Sequence, residues 1–147
     1  TELSNRSTIL ELIERCLMRY SVDESYQFAI LFIDLDYFKP VNDMYGHQIG
    51  DLLLKQVAQR LQSIMRPSDR VGRYGGDEFI VILEGATVGQ ATIMSARIRD
   101  RLGESFLVRD KRIDIGASVG IAVNDGVSSA QDLIDMADRS MYDQKHK

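Results

Sequence analysis

Cysteine is nearly missing from this chain: Cys16 is the only one in 147 residues, which excludes an internal disulfide. That scarcity suits a reducing cytosol, and Cys16 falls within an apolar helical pattern, where packing is its expected role. Also missing is any apolar run near the ~20 residues of a membrane-spanning helix. The longest such run, "FAILFI" at residues 28–33, is strand-sized, so no membrane contact is expected of this segment. No signal-peptide pattern opens it. Repeats, low-complexity stretches and linker-like composition are absent too, and the length favours one domain with a real core, residues 1–147. Basic excess is lacking: 18 Lys and Arg face 22 Asp and Glu, for a net charge of -4. This weighs against a nucleic-acid duplex as partner. It leaves room for a nucleotide held by a metal and one or two basic groups.

What is present is regular patterning. Ile9, Leu10, Ile13, Leu17 and Tyr20 recur at helical spacing, predicting a helix over 4–20 with Ser4 or Asn5 as its cap. "FAILFIDLD", residues 28–36, is an apolar, β-prone run that ends in acids and reads as a buried strand. "KPVNDMYGH" breaks regular structure with Pro40 and Gly46, with room for a short helical turn. A long helix follows at about 47–65, with Leu53, Leu54, Val57, Leu61 and Ile64 on one stripe and Pro67 as its stop. "RVGRY" and "EFIVILE" read as a hairpin across Gly75 and Gly76. Residues 88–102 predict a helix ending at Gly103, "SFLVRDKRIDIGASVGIAV" two strands around "RDK", and 128–145 a last helix with Leu133, Ile134, Ala137 and Met141 inward. The order at the centre is β-α-β-β-α-β, the split ferredoxin-like arrangement of an α+β domain.

The acids fall at the ends of apolar segments. Ile30, Phe32 and Asp34 share one strand face by alternation, and Asp36 continues it. An acid closing such a face must be hydrated, paired or metal-bound; for Asp-x-Asp alone, a solvated strand end is the better reading. Asp77 and Glu78 form a second pair. Should the 28–36 strand lie beside the hairpin, Asp34 and Asp77 would converge, and a divalent cation would relieve their repulsion. Hard oxygen ligands favour Mg²⁺ or Mn²⁺. Gly75 and Gly76 would then let a ligand approach the turn, although a Gly-Gly pair also makes a plain turn.

"RYGGDEF", residues 73–79, resembles the signature of the GGDEF family, the diguanylate cyclases. "LFIDLDYFKPVNDMYGHQIGDLLL", residues 31–54, is similar to the family's other long motif almost throughout, and "ASVGIAV", residues 117–123, to its late strand. "TELSNR" at the start matches in part, with Glu2 where the family has glycine. The resemblance implies a fold like the polymerase palm and the nucleotidyl cyclase core. It implies a nucleotidyltransferase that condenses two GTP into cyclic di-GMP and releases two pyrophosphates. A catalytically inactive module that binds GTP or cyclic di-GMP for regulation is the alternative; intact acids and intact Asn42 and Asp51 favour the enzyme.

By the same resemblance, Asp34, the backbone carbonyl of Leu35, Asp77 and Glu78 would hold Mg²⁺ or Mn²⁺. Asp77 is also a candidate base for the 3′-hydroxyl, but a metal-bound carboxylate is a weak base and the metal role is preferred. Asn42 and Asp51 would read the guanine edge, with His47 near the substrate. Lys39, Lys145 and the backbone amides of Tyr37 and Phe38 would meet phosphates, and Lys39 would offset charge developed in transfer. Without the resemblance, Asn42 with Asp43 suits a helix cap, Asp51 a first-turn acid, His47 a surface or packing role and Lys145 a solvated terminus.

"RPSD", residues 66–69, matches the family's inhibitory product site in pattern and position, with Arg97 as a further contact; by itself an Arg-x-x-Asp suits a surface salt bridge. The family's usual Gly-Arg-Asn after the last lysine, and the acid before its first motif, lie outside this segment. It is therefore expected to be cut from a longer, multidomain, cytoplasmic bacterial protein, with any membrane anchor elsewhere in that protein. Catalysis in the family needs a homodimer, commonly driven by an attached sensor domain. The isolated domain is expected to be mostly monomeric and slow.

Overall fold

The computed structural model describes residues 6–146. The expected cap at Ser4 or Asn5, and Glu2, lie outside the described residues. The elements are α1 (Arg6–Val22), β1 (Phe28–Asp36), α2 (Phe38–Tyr45), α3 (His47–Ser63), β2 (Arg70–Arg73), β3 (Glu78–Glu84), α4 (Val88–Leu102), β4 (Phe106–Val108), β5 (Lys111–Ile113), β6 (Gly116–Val123) and α5 (Ala130–Lys145). One antiparallel sheet runs β2-β3-β1-β6. This is the α+β, ferredoxin-like sheet that the element order predicts.

The strand β1 is central because it is apolar on both faces. Leu31, Ile33 and Leu35 pack under α3 and α4. Phe28, Ile30 and Phe32 pack under α1 and α5. Asp34 and Asp36 continue the α1–α5 face, and at the strand end they are only partly covered. The stripe Leu53, Leu54, Val57 and Leu61 is buried, as are Leu133, Ile134, Ala137 and Met141 of α5. Cys16 is buried in the α1–α5 core, and its apolar surroundings raise the thiol pKa.

Three local expectations need correction. Residues 38–45 are a two-turn helix rather than a break, because Pro40 falls in the first turn, where a missing amide hydrogen costs nothing. The strand-to-helix turn is made at Tyr37, whose φ of 66° is left-handed. The helix α3 ends at Ser63, ahead of Pro67, which lies in the following turn. The 105–123 stretch makes three strands, not two. Arg109 and Asp110, with φ of 51° and 64°, form a two-residue turn with both residues left-handed, and β4–β5 stand as a separate hairpin.

The helix α5 lies directly on the edge strand β6. At Gly120 a Cβ would collide with the Ala137 carbonyl and the Met141 amide. On either side, Gln144 Oε1 accepts from Val119 N at 2.9 Å and Ser140 Oγ from Ile121 N at 3.1 Å. These side chains satisfy amides that an edge strand would otherwise expose. Gly120→Ala should therefore cost about 2 kcal/mol, in the range for overpacking against atoms that cannot yield. Urea denaturation of both proteins checks this; an unchanged midpoint would show that α5 can lift off β6 freely.

Candidate active site

The register of β1 against β3 sets Asp34 opposite Glu78, and the Leu35 amide donates to the Asp77 carbonyl at 3.1 Å. The two acidic segments, over forty residues apart in the chain, thus meet at one end of the sheet. All three carboxylates are half-buried. Burial, then the charge of Asp34, pushes the Asp77 carboxyl above the usual carboxylate range. Burial also raises Glu78, followed by the charges of Asp34, Asp138 and Asp77. The cluster carries like charge in a place that disfavours it.

The nearest cation to it comes from the last turn of α5. Lys145 Nζ lies 2.8 Å from Asp34 Oδ2 and 3.4 Å from Asp36 Oδ1, and the hydrogen bond to Asp34 leads the effects that raise its pKa. Lys145 is thus exposed but paired with the acids. Among the described residues, no three His, Cys, Asp or Glu side chains close into a ready-made metal cage. The all-oxygen donor set still fits Mg²⁺ or Mn²⁺, because Mg²⁺ commonly takes one or two carboxylates and completes its shell with phosphate oxygens.

The glycine pair divides its work. A Cβ on Gly75 would collide with the Glu78 carboxylate, so the space Gly75 leaves is filled by the protein's own acid. Gly76 faces open space, and neither glycine is left-handed. Arg73 closes the turn, donating to the Gly76 carbonyl from Nε at 3.0 Å and from Nη2 at 2.7 Å. Arg6, at the start of α1, stacks on the Tyr74 ring at 4.1 Å and its charge lowers Glu78. Sequence reading passed over both arginines, although Arg73 opens the quoted signature. Phe79 is fully buried and Tyr74 packs edge-on to Phe32, which anchors the hairpin.

Across α2 lies a second group. Asn42 Nδ2 is 3.0 Å from His47 Nδ1, and a Cβ on Gly50 would collide with Asn42 Oδ1. Gly50 thus allows α2 and α3 to close on Asn42, and Asp51 stands exposed beside it. Asn42 sits inside α2 and caps no helix with its side chain, and Asp51 falls beyond the first turn of α3; both simple structural readings fail. No side chain caps α2 among the described residues, which leaves its first amides, Phe38 among them, available to an anion. Lys39 stands exposed in the same turn.

Arg66, Asp69 and Arg97 are elsewhere. Asp69 is buried and accepts from Arg66 Nη2 at 2.9 Å and from the Arg66 amide at 2.8 Å. It holds Arg66 rather than facing a ligand itself. Arg66 also donates to the Glu84 carbonyl at 2.9 Å, and with Arg97 it lines one shallow groove beside Ala86, Gln90 and Met94.

The chain matches the family model "Diguanylate cyclase, GGDEF domain" over residues 1–147. It is similar to diguanylate cyclase A of Treponema denticola, 39% identical over 80% of this chain and 32% of that protein. The crystal structure of the GGDEF domain of YfiN (TpbB) from Pseudomonas aeruginosa superposes with a TM-score of 0.92 at 33% identity, covering 98% of this chain and 91% of that one. The GGDEF domain of DgcB from Caulobacter crescentus, solved in complex with c-di-GMP, superposes with a TM-score of 0.90 at 25% identity, covering 98% and 86%. The chain spans about a fifth to a third of the length of the curated relatives it matches.

Folding raises both hairpin acids, so their contribution to stability is full below the ordinary carboxylate range and is lost as pH rises through the raised values. Asp77→Asn, melted in the presence of a chelator, should outlast the parent near about pH 8 and lose that advantage toward about pH 4. Equal melting at both values would show that the acids do not repel in the folded state.

Proposed function

The chain belongs to the GGDEF family of diguanylate cyclase domains, and from that premise we propose that it condenses two GTP molecules into cyclic di-GMP, releasing two pyrophosphates. The observation that carries this reading is the meeting of Asp34 with Asp77 and Glu78 across the β1–β3 pair. Asp34, Asp77 and the Leu35 carbonyl would hold Mg²⁺ or Mn²⁺, with Glu78 in support. When bound, the cation neutralises phosphate charge and activates the attacking oxygen.

The chain's own groups do the rest. Lys39 and Lys145 meet the phosphates with the amides of Tyr37 and Phe38, and Gly76 leaves the turn open to them. Asp51 accepts from guanine N1-H and N2-H₂, a pairing adenine cannot make, so the wrong base would leave polar groups unpaired. Asn42 donates one amide hydrogen to His47 and keeps its Oδ1 and second hydrogen for the same edge. The 3′-hydroxyl oxygen of one GTP attacks the α-phosphorus of the other, loses its proton to solvent and displaces pyrophosphate; the reciprocal attack closes the ring and releases the second pyrophosphate. Because each chain holds one GTP, two chains must face each other, and an attached regulatory domain would bring them together. The isolated segment is then mostly monomeric, slow and cytoplasmic.

Arg66 and Arg97 form an inhibitory product site, with Asp69 holding Arg66 in its planar, pairing pose. Glu78 and the Arg66-bonded Glu84 are the two ends of β3, so the sites stand roughly 20 Å apart at the rise of an antiparallel strand. Product at Arg66 therefore acts on how subunits meet, not by displacing GTP.

The chain, dimerised by a fused zipper and given GTP with Mg²⁺, should yield cyclic di-GMP by chromatography; no product under these conditions rejects the enzyme. Asp77→Asn should bring product below detection while staying folded, with melting no lower than the parent's near about pH 8. Arg66→Ala should retain basal pyrophosphate release and lose its inhibition by added cyclic di-GMP.

A further inference from the structure

Asp36 has no part in the function proposed above, yet it is engaged from two elements, by Ser118 of β6 and Lys145 of α5. Ser118 Oγ, on β6, donates to its carboxylate and lies 3.0 and 3.1 Å from the two oxygens. Ser118 is 6% exposed, so the hydroxyl is fixed by its surroundings. Asp34 and Asp36 lie two residues apart on one face, and the Lys145 ammonium bridges them. Of the two, Asp34 neighbours Asp77 and Glu78 on the hairpin, whereas Asp36 is tied to β6.

The backbone that carries Lys145 is set by the docking of α5. Gln144 and Ser140 bond the β6 backbone, and Gly120 admits the helix without a gap. The last turn of α5 is thereby docked, and the flexible four-carbon stem of Lys145 swings from a fixed backbone. A divalent cation at Asp34 would repel Lys145 from that carboxylate. Asp36 is the acid that remains to keep it at the site. Its oxygens, already committed to Ser118 and Lys145, are poorly placed to serve as a further cation ligand.

We propose that Asp36, oriented by Ser118, is the positioning residue that retains Lys145 beside the acid cluster and directs its ammonium to the nucleotide's phosphates. This rests on the reading of the cluster as a GTP site. Asp36 then acts on substrate affinity through Lys145, not on cation affinity and not directly on the reacting atoms.

A double-mutant cycle tests it on the whole chain. Mn²⁺ binding without nucleotide is read by electron paramagnetic resonance. Binding of a GTP analogue with a methylene bridge between the α- and β-phosphorus is read by calorimetry at saturating Mn²⁺. Asp36→Asn should leave Mn²⁺ affinity unchanged and weaken the analogue about fivefold, the upper end for a partly exposed charge pair. Lys145→Met should weaken the analogue to a similar extent, and the double variant should bind no worse than Lys145→Met alone. Ser118→Ala, which keeps the Asp36 charge and frees its orientation, should show a smaller loss that also vanishes in the Lys145→Met background. It carries the cycle should Asp36→Asn fail to fold. A fall in Mn²⁺ affinity in Asp36→Asn overturns the proposal, because Asp36 would then be a metal ligand; so do fully additive losses. If the unaltered chain binds no analogue, the GTP-site reading itself fails and this inference with it. Binding intact with additive losses rejects the inference alone.

Discussion

The antiparallel pairing of β1 with β3 is the constraint on which the rest of the site depends. Its register puts Asp34 across from Glu78 and ties Leu35 to Asp77. A slip of one residue would turn every side chain of β1 to the opposite face, burying Asp34 and Asp36 among the aliphatic side chains of α3 and α4. The apolar run would suit either face, so the cost of burying two carboxylates is what opposes that slip. The acids themselves thereby help to fix the register that brings like charges together.

Those charges are stabilised from the far end of the chain. Lys145 reaches Asp34 from the last turn of α5, and α5 is held against β6 by Gly120, Ser140 and Gln144. β6 is itself the other neighbour of β1. The site is thus closed from both sides of one central strand, with acids from the hairpin on one side and a lysine from the helix on the other. The Asn42–His47 pair sits on a separate support, the α2–α3 corner that Gly50 lets close. At the opposite end of β3, Arg66 is secured by Asp69 and the Glu84 carbonyl.

Most elements were legible because their signals are local. The alternation of β1, the stripes of α3 and α5 and the end of α4 at Gly103 each follow from a few neighbouring residues. Elements were misread where a position within an element mattered more than residue type. Pro40 breaks a helix interior but is tolerated in the first turn of α2. The turn at Arg109 and Asp110 was legible, but no glycine or proline separates Ile113 from Gly116, so β5 ran into β6 in the reading. The glycine pair was read as space for a ligand, and the space at Gly75 belongs to Glu78.

Residue types and spacing by themselves determined the α+β order, the two-faced central strand and the chemistry available: carboxylates at strand ends, lysines beyond them, an amide and an acid flanking α3's start. Tertiary structure alone decided which of these meet. It paired Lys145 with Asp34 across 111 positions of sequence, bound Asp36 to Ser118 across 82 and turned Asp69 inward to hold Arg66. Such contacts depend on helix docking and strand register. Both are set by the summed burial of many apolar side chains, which no short stretch of sequence contains.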